Sequence, residues 1–217
     1  MNFEQARINM IEQQIRPWEV LDQRVLDQIE EIPREEFVPQ RFRELAFSDT
    51  EIPLGHGEVM MSPKLEARMV QALRLQPDDT TLEIGTGSGY VTALLASLSK
   101  QVLSIELYPD FTQSAAAKLA RLSLSNVDLF TADGIRGWGK GIPYDAIAVT
   151  GSVPLLSEHF QRQLKRGGRL FLIVGQAPIM EARLITCVSE NEWNSEPLFE
   201  TDFPPLAGAA VPERFVF

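Results

Sequence analysis

The chain has 217 residues, with 20 Lys+Arg against 30 Asp+Glu for a formal net charge of -10, and 44% apolar and 23% charged residues. That balance excludes a disordered or fibrous chain, and the acidic excess disfavours nonspecific nucleic-acid binding because a phosphate backbone is repelled rather than neutralised. Cys187 is the only cysteine, which excludes an internal disulfide and a CxxC zinc site.

The segment Met1 to Arg7 lacks the basic-then-apolar order of a secretory signal. The longest apolar run, Leu170 to Val174, is far short of the roughly 20 residues that span a bilayer. The expectation is a soluble, cytoplasmic protein without membrane partners. The length suits one elaborated domain or two small ones. A helical, loop-containing cap is expected over 1–78, and an alternating strand–helix sheet domain over 79–217.

In the cap, Phe3, Ala6 and Met10, with Ile8, Ile11 and Ile15, recur at three- and four-residue spacing and predict an amphipathic helix stopped by Pro17. Val25, Ile29 and Ile32 predict a second helix ended by Pro33. Phe47 to Pro63, with Pro53, Gly55 and Gly57, reads as an extended loop. Pro63 to Leu73 reads as a third helix with proline in its first turn.

From residue 80 the pattern alternates. Strands are predicted at 81–84, 102–106, 127–130, 146–149 and 170–174. Helices are predicted at 91–98 and 111–122. Alternation of this kind implies a doubly wound, mostly parallel α/β sheet. The tail after Leu184 is expected to add antiparallel strands at one edge.

The segment Glu83-Ile84-Gly85-Thr86-Gly87-Ser88-Gly89-Tyr90 joins a strand to a helix. Glycines at alternate positions allow a tight turn and close approach of backbone to a ligand, and the following helix offers free N–H groups to an anionic group. The GxGxG spacing differs from the dinucleotide fingerprint, and no P-loop lysine follows. Glu106 ends the next strand, 21 residues after Gly85, where an acidic side chain can accept hydrogen bonds from a ribose diol. Asp133-Gly134 follows the third strand at the same carboxyl edge. Each carboxylate alone reads as a surface group or helix cap. After three successive strands, they favour a nucleoside site.

This arrangement resembles the class I S-adenosylmethionine-dependent methyltransferases, whose sheet is Rossmann-like. The resemblance implies S-adenosylmethionine as cofactor, bound by Glu83, Gly85, Thr86, Gly87, Ser88, Gly89, Tyr90, Glu106, Leu107, Asp133 and Gly134, and no metal. The glycine loop would lie against the methionine part, Glu106 would hold the ribose and Asp133 the adenine amino group. Tyr90 and Leu107 would be packing contacts.

Further segments, Pro33-Arg34-Glu35-Glu36-Phe37-Val38-Pro39, Ala46-Phe47-Ser48-Asp49, Pro53-Leu54-Gly55-His56-Gly57, Pro143-Tyr144-Asp145-Ala146-Ile147, Leu164-Lys165-Arg166-Gly167-Gly168-Arg169-Leu170 and Phe203-Pro204-Pro205-Leu206, resemble the protein-L-isoaspartate O-methyltransferase family. The resemblance covers almost the whole chain and implies methylation of a carboxylate in damaged protein or peptide, a repair activity. The family's substrate loop reads Gly-Gln-Thr-Ile-Ser-Gln-Pro. In register with Pro63, Val59 replaces its threonine and Met61 its serine, and Ser62 is displaced by one position. The alternatives are a different small-molecule acceptor, which methionine-lined surfaces can accommodate, or a non-catalytic cofactor-binding paralogue. No catalytic residue is assigned. His56 reads as a loop-fixing residue or, less favoured, a base. Thr150-Gly151-Ser152 reads either as a substrate-facing segment or as a polar turn. His159 reads as a surface residue, Trp18 and Trp138 as edge packing, and Cys187 as an apolar filler.

Overall fold

The computed structural model describes residues 2–139 and 143–209. Met1 and the stretches 140–142 and 210–217 of the expected cofactor domain lie outside the described residues. Helix α1 (Phe3–Met10) starts where the Asn2 side chain accepts a hydrogen bond from the Gln5 N–H, the usual device for an unpaired helical donor. A π-helical turn (Ile11–Ile15) and a 3-10 turn (Arg16–Trp18) carry it to the expected stop at Pro17. Helix α2 (Gln23–Glu31), capped by Asp22, ends where Ile32 turns extended ahead of Pro33.

The stretch expected as an open loop is instead paired. Strands β1 (Ile52–Gly55) and β2 (Glu58–Met60) form an antiparallel hairpin. The turn residues His56 and Gly57 have φ of +53° and +85°, and two left-handed central residues give a type I′ turn whose twist matches paired strands. Helix α3 (Pro63–Leu73) then begins with proline in its first turn, as expected.

Strands β3 (Thr80–Ile84), β4 (Gln101–Glu106), β5 (Val127–Thr131), β6 (Tyr144–Val153), β7 (Leu164–Gln176), β8 (Ile179–Ser189) and β9 (Glu192–Thr201) form one sheet in the order β5-β4-β3-β6-β7-β8-β9. The first five pair in parallel, and β8 and β9 add antiparallel at one edge. Helices α4 (Tyr90–Leu98) and α5 (Pro109–Arg121) connect the strands on the β3-β4-β5 side, and the short α6 (Glu158–Gln161) precedes β7.

Both faces of the sheet are covered, and the two-residue period of a strand assigns the side chains. Ala146, Ala148, Phe171 and Ile173 face a cluster that also contains Met10, Ile15, Leu26, Met69 and Leu94. Ile147, Val149, Leu170 and Leu172 face the opposite cluster with Phe160 and Leu164. The cap helices thus share one core with a face of the sheet. Trp18 packs edge-on against Phe199 of β9, Trp138 packs on Phe130, and buried Cys187 lies in β8. Among the described residues no helix is long and apolar enough to cross a membrane.

Candidate functional site

Strand β3 pairs with β4 on one side and β6 on the other, so successive connections diverge at its carboxyl end. That is the switch point where open α/β sheets bind ligands. The Gly85–Gly89 loop leaves the sheet there. Gly85 has φ of +94°, and a Cβ on it would fall 2.3 Å from the Thr150 Oγ1. The Thr150 hydroxyl lies 2.9 and 2.6 Å from the Ile84 and Gly85 carbonyl oxygens, to which it donates. Thr150-Gly151-Ser152 continues β6 rather than forming a turn, and Thr150 braces the glycine loop. At Gly89 a Cβ would meet the Ala115 Cβ at 2.9 Å, so glycine lets α4 start directly against α5.

Glu106 ends β4 with its side chain turned back under the loop. The Gly87 N–H donates to Oε2 at 2.8 Å and the Tyr108 N–H donates to Oε1 at 2.9 Å. Two charge-assisted bonds fix a buried carboxylate, yet each oxygen can accept a further hydrogen bond, and Glu106 lines the cleft described below.

Glu83 lies behind the loop, fully buried, accepting from Thr92 Oγ1 at 2.6 Å and Ser104 Oγ at 2.5 Å, both at Oε2. Burial pushes its carboxyl up to about 8, opposed by those two hydroxyls and reinforced by Glu106. The folded state therefore holds a proton that the unfolded chain releases near pH ~4.3. The resulting stabilisation is complete below that pH and is lost as the pH rises through about 8. Glu83→Gln cannot ionise, so chemical denaturation should show its stability relative to the wild type increasing by a few kcal/mol, roughly, between about pH 5 and pH 8. A pH-independent difference would contradict the assignment.

In front of the loop is a cleft at the carboxyl edge of the sheet, the place where open α/β sheets bind ligands. Its floor includes Ile84, Gly85, Gly87 and Ile105, and one wall holds Glu106, Leu107, Tyr108 and Phe111. Asp133-Gly134 and the segment Phe203, Pro204 and Leu206 also line it. That segment is tied to β6 by Ser152 N–H to Pro204 O and Leu206 N–H to Ser152 O, both 2.9 Å. The hairpin covers the cleft with Leu54, Glu58 and Val59. Burial and then the charge of Glu106 push the Glu58 carboxyl above the ordinary range, with His56 pulling it back.

A smaller pocket adjoins the cleft and shares Leu54, Val59, Gly85, Gly87 and Thr150 with it. Met61 and Glu66 line this pocket, whereas Ser62 faces a separate groove with Trp18 and Asp49. The displaced serine hydroxyl therefore does not substitute for the missing one. The loop is held by Arg34, which is completely buried. Its guanidinium donates to the Met61 carbonyl at 2.7 Å, to the Ala46 carbonyl, and to both Glu66 oxygens at 2.8 and 3.3 Å, with the Tyr90 ring 5.5 Å away. Lys118 of α5 ties the cap to the glycine loop by donating to the Phe37 and Ser88 carbonyls at 3.0 and 3.1 Å.

Of the residues expected from the sequence, Gly85, Gly87, Glu106, Leu107, Asp133 and Gly134 line the cleft, and Thr86 and Ser88 line the adjoining pocket. Glu83, Gly89 and Tyr90 line neither. Tyr90 points into the cap, edge-on to Phe37. His56 lies at the hairpin tip against Tyr108, and His159 is exposed on α6. Glu58, Ile135 and Phe111 also line the cleft. Phe111 falls in a predicted helix without marking a site, and Glu58 is distinguished only by adjoining the Gly55–Gly57 turn. No group of His, Cys, Asp or Glu side chains among the described residues could hold a metal ion.

A doubly wound sheet with a glycine loop at its switch point, a carboxylate beneath that loop and antiparallel strands at one edge defines a Rossmann-like methyltransferase fold. The family model for protein-L-isoaspartate(D-aspartate) O-methyltransferase matches residues 5–210, and the chain belongs to that family. Protein-L-isoaspartate O-methyltransferase 1 of Rhodopseudomonas palustris (strain HaA2) is 41% identical over 95% of this chain and 85% of its own length. Protein-L-isoaspartate O-methyltransferase 2 of Pelobacter propionicus is 38% identical over 96% of this chain and 93% of its own. A Plasmodium falciparum crystal structure, described as a protein-L-isoaspartate O-methyltransferase in complex with S-adenosyl-L-homocysteine, superposes with a TM-score of 0.77 over 95% of this chain and 98% of that one. At 20% identity, that likeness concerns the fold.

Proposed function

We propose that the protein transfers the methyl group of S-adenosylmethionine to the side-chain carboxylate of an isoaspartyl residue in damaged protein or peptide, as a cytoplasmic repair enzyme. The observation that carries this reading is the glycine-loop cleft roofed by the hairpin, in a chain that the family model matches from residue 5 to residue 210. Cap (1–78) and sheet (79–217) act as the two halves of one site.

The residues suit the cofactor. A glycine cradle that a Cβ would fill gives its methionine part a close backbone approach. Glu106 receives the ribose hydroxyls on the lone pairs its two backbone partners leave free, and Asp133 and Gly134 receive the adenine beside Leu107. Thr86 and Ser88 border the methionine part, while Glu83, Gly89 and Tyr90 support the loop from behind. When bound, the cofactor supplies an electrophilic methyl group on a cationic sulfur. Glu58, Glu106 and Asp133 give that positive charge a complementary cleft.

The acceptor carboxylate is already ionised at neutral pH. No side chain need remove a proton, and the protein's contribution is alignment and exclusion of water. Incubation with labelled S-adenosylmethionine and an isoaspartyl peptide should give a labelled, base-labile ester. No transfer above background would refute the substrate.

One observation favours a second reading, an apolar small-molecule acceptor: Val59 and Met61 line the pocket where the family has threonine and serine. Restoring both hydroxyls with Val59→Thr and Met61→Ser should raise kcat/KM for the isoaspartyl peptide by about ten-fold, the worth of one or two modest hydrogen bonds. An unchanged value would favour the apolar acceptor.

A further inference from the structure

The hairpin tip is pinned by one side chain. His56 occupies the first central position of the turn at φ of +53°, a left-handed conformation uncommon for residues other than glycine and retained where surroundings fix it. Its ring lies flat on Tyr108, with centroids 4.2 Å apart and planes 5° from parallel, and meets the Phe111 edge at 5.3 Å. Its Nε2 is 3.0 and 3.1 Å from the two Asp110 oxygens. Tyr108, Asp110 and Phe111 form the corner between β4 and α5, immediately after Glu106. Tyr108 and Phe111 line the cleft on that side, and Leu54, Glu58 and Val59 line it from the hairpin. The His56 contacts therefore join the two sides of the cleft.

We propose that His56 is a positioning residue, a latch that holds the hairpin over the cleft and sets how fast S-adenosyl ligands enter and leave. The proposal rests on the reading of the cleft as the cofactor site. All the latching groups belong to the protein, so breaking the latch loosens the closed cleft whether or not a ligand lies beneath. A stacked pair and an exposed hydrogen bond to a carboxylate together amount to about a ten-fold change in the closing equilibrium. Both rates should then rise together while affinity changes little. A substitution that merely unfolds the hairpin does the opposite, lowering affinity without speeding entry.

Surface plasmon resonance of S-adenosylhomocysteine on immobilised full-length protein separates these outcomes. His56→Asn retains a residue that tolerates the left-handed turn and removes the stack. It should raise association and dissociation rates about ten-fold each and leave affinity within about three-fold. Asp110→Asn keeps the stack and weakens only the hydrogen bond at His56 Nε2, so both rates should rise by a smaller factor. Normal binding by the wild type with unchanged rates in His56→Asn would overturn the latch. So would an affinity loss with no gain in association rate. A wild type that does not bind the ligand would overturn the cofactor reading and the latch with it.

Discussion

Glu106→Ala should weaken S-adenosylhomocysteine binding by about a hundred-fold or more, read by calorimetry, while the far-ultraviolet circular dichroism stays that of a folded α/β protein. Hydrogen bonds to a charged group contribute about 1.5–3 kcal/mol each. The ribose diol would lose two such bonds, and a hundred-fold change requires about 2.7 kcal/mol. The substitution also removes the acceptor that the Gly87 and Tyr108 N–H groups share. The glycine loop and the β4–α5 corner then lose their common anchor, and preorganisation falls as well. Glu106→Gln should recover little, because its amide turns a donor toward one of those two N–H groups. Unchanged affinity in the alanine variant would place the ribose elsewhere.

Arg34→Met should destabilise the fold by roughly 3–5 kcal/mol, the range for breaking a buried ion pair on one side. The substitution removes donors from Glu66, from the Met61 carbonyl and from the Ala46 carbonyl together. Glu66 is fully buried, and even with Arg34 beside it burial pushes its carboxyl up to about 7. Without the guanidinium, the folded state favours the protonated acid more strongly. The variant's stability should therefore be greatest at low pH, below the unfolded carboxyl value of about 4.3, and fall as the pH rises through neutrality. Thermal melts at about pH 5.5 and pH 8 should show a larger deficit relative to wild type at the higher pH. Arg34→Met combined with Glu66→Leu should recover part of the loss, because an apolar pair of similar volume leaves no buried charge. A small, pH-independent loss in Arg34→Met would contradict the role given to this pair.

The parallel sheet was legible in the sequence because its signals are local. Alternating apolar segments, a glycine loop between β3 and α4, and acidic residues at strand ends all follow from short-range geometry. The antiparallel edge was readable from the lack of helical pattern after Leu184, but β8 starts earlier, at Ile179, because the chain reverses tightly after β7. The hairpin was less legible, since Pro53 and the glycines around His56 signal a loop as readily as a turn. Its pairing depends on three consecutive positive φ values, at Gly55, His56 and Gly57, one of them at a histidine. Within the site, Glu106 and Asp133 were readable from register, because the carboxyl ends of parallel strands meet at one edge. Tyr90 was not: it adjoins the loop in sequence, but its first-turn position in α4 directs the ring into the cap against Phe37 and Arg34. Arg34 carried a motif but no visible role, since its partners Ala46, Met61 and Glu66 lie 12 to 32 residues away. Only tertiary packing brings them to one guanidinium.

The carboxyl acceptor is tested most directly by intact-mass measurement on two peptides that differ only in linkage at one aspartyl residue. With S-adenosylmethionine and the wild-type protein, the isoaspartyl peptide should gain the mass of one methyl ester while the normally linked peptide stays unmodified. Equal modification of both, or of neither while S-adenosylhomocysteine still binds the cleft, would contradict isoaspartyl methylation.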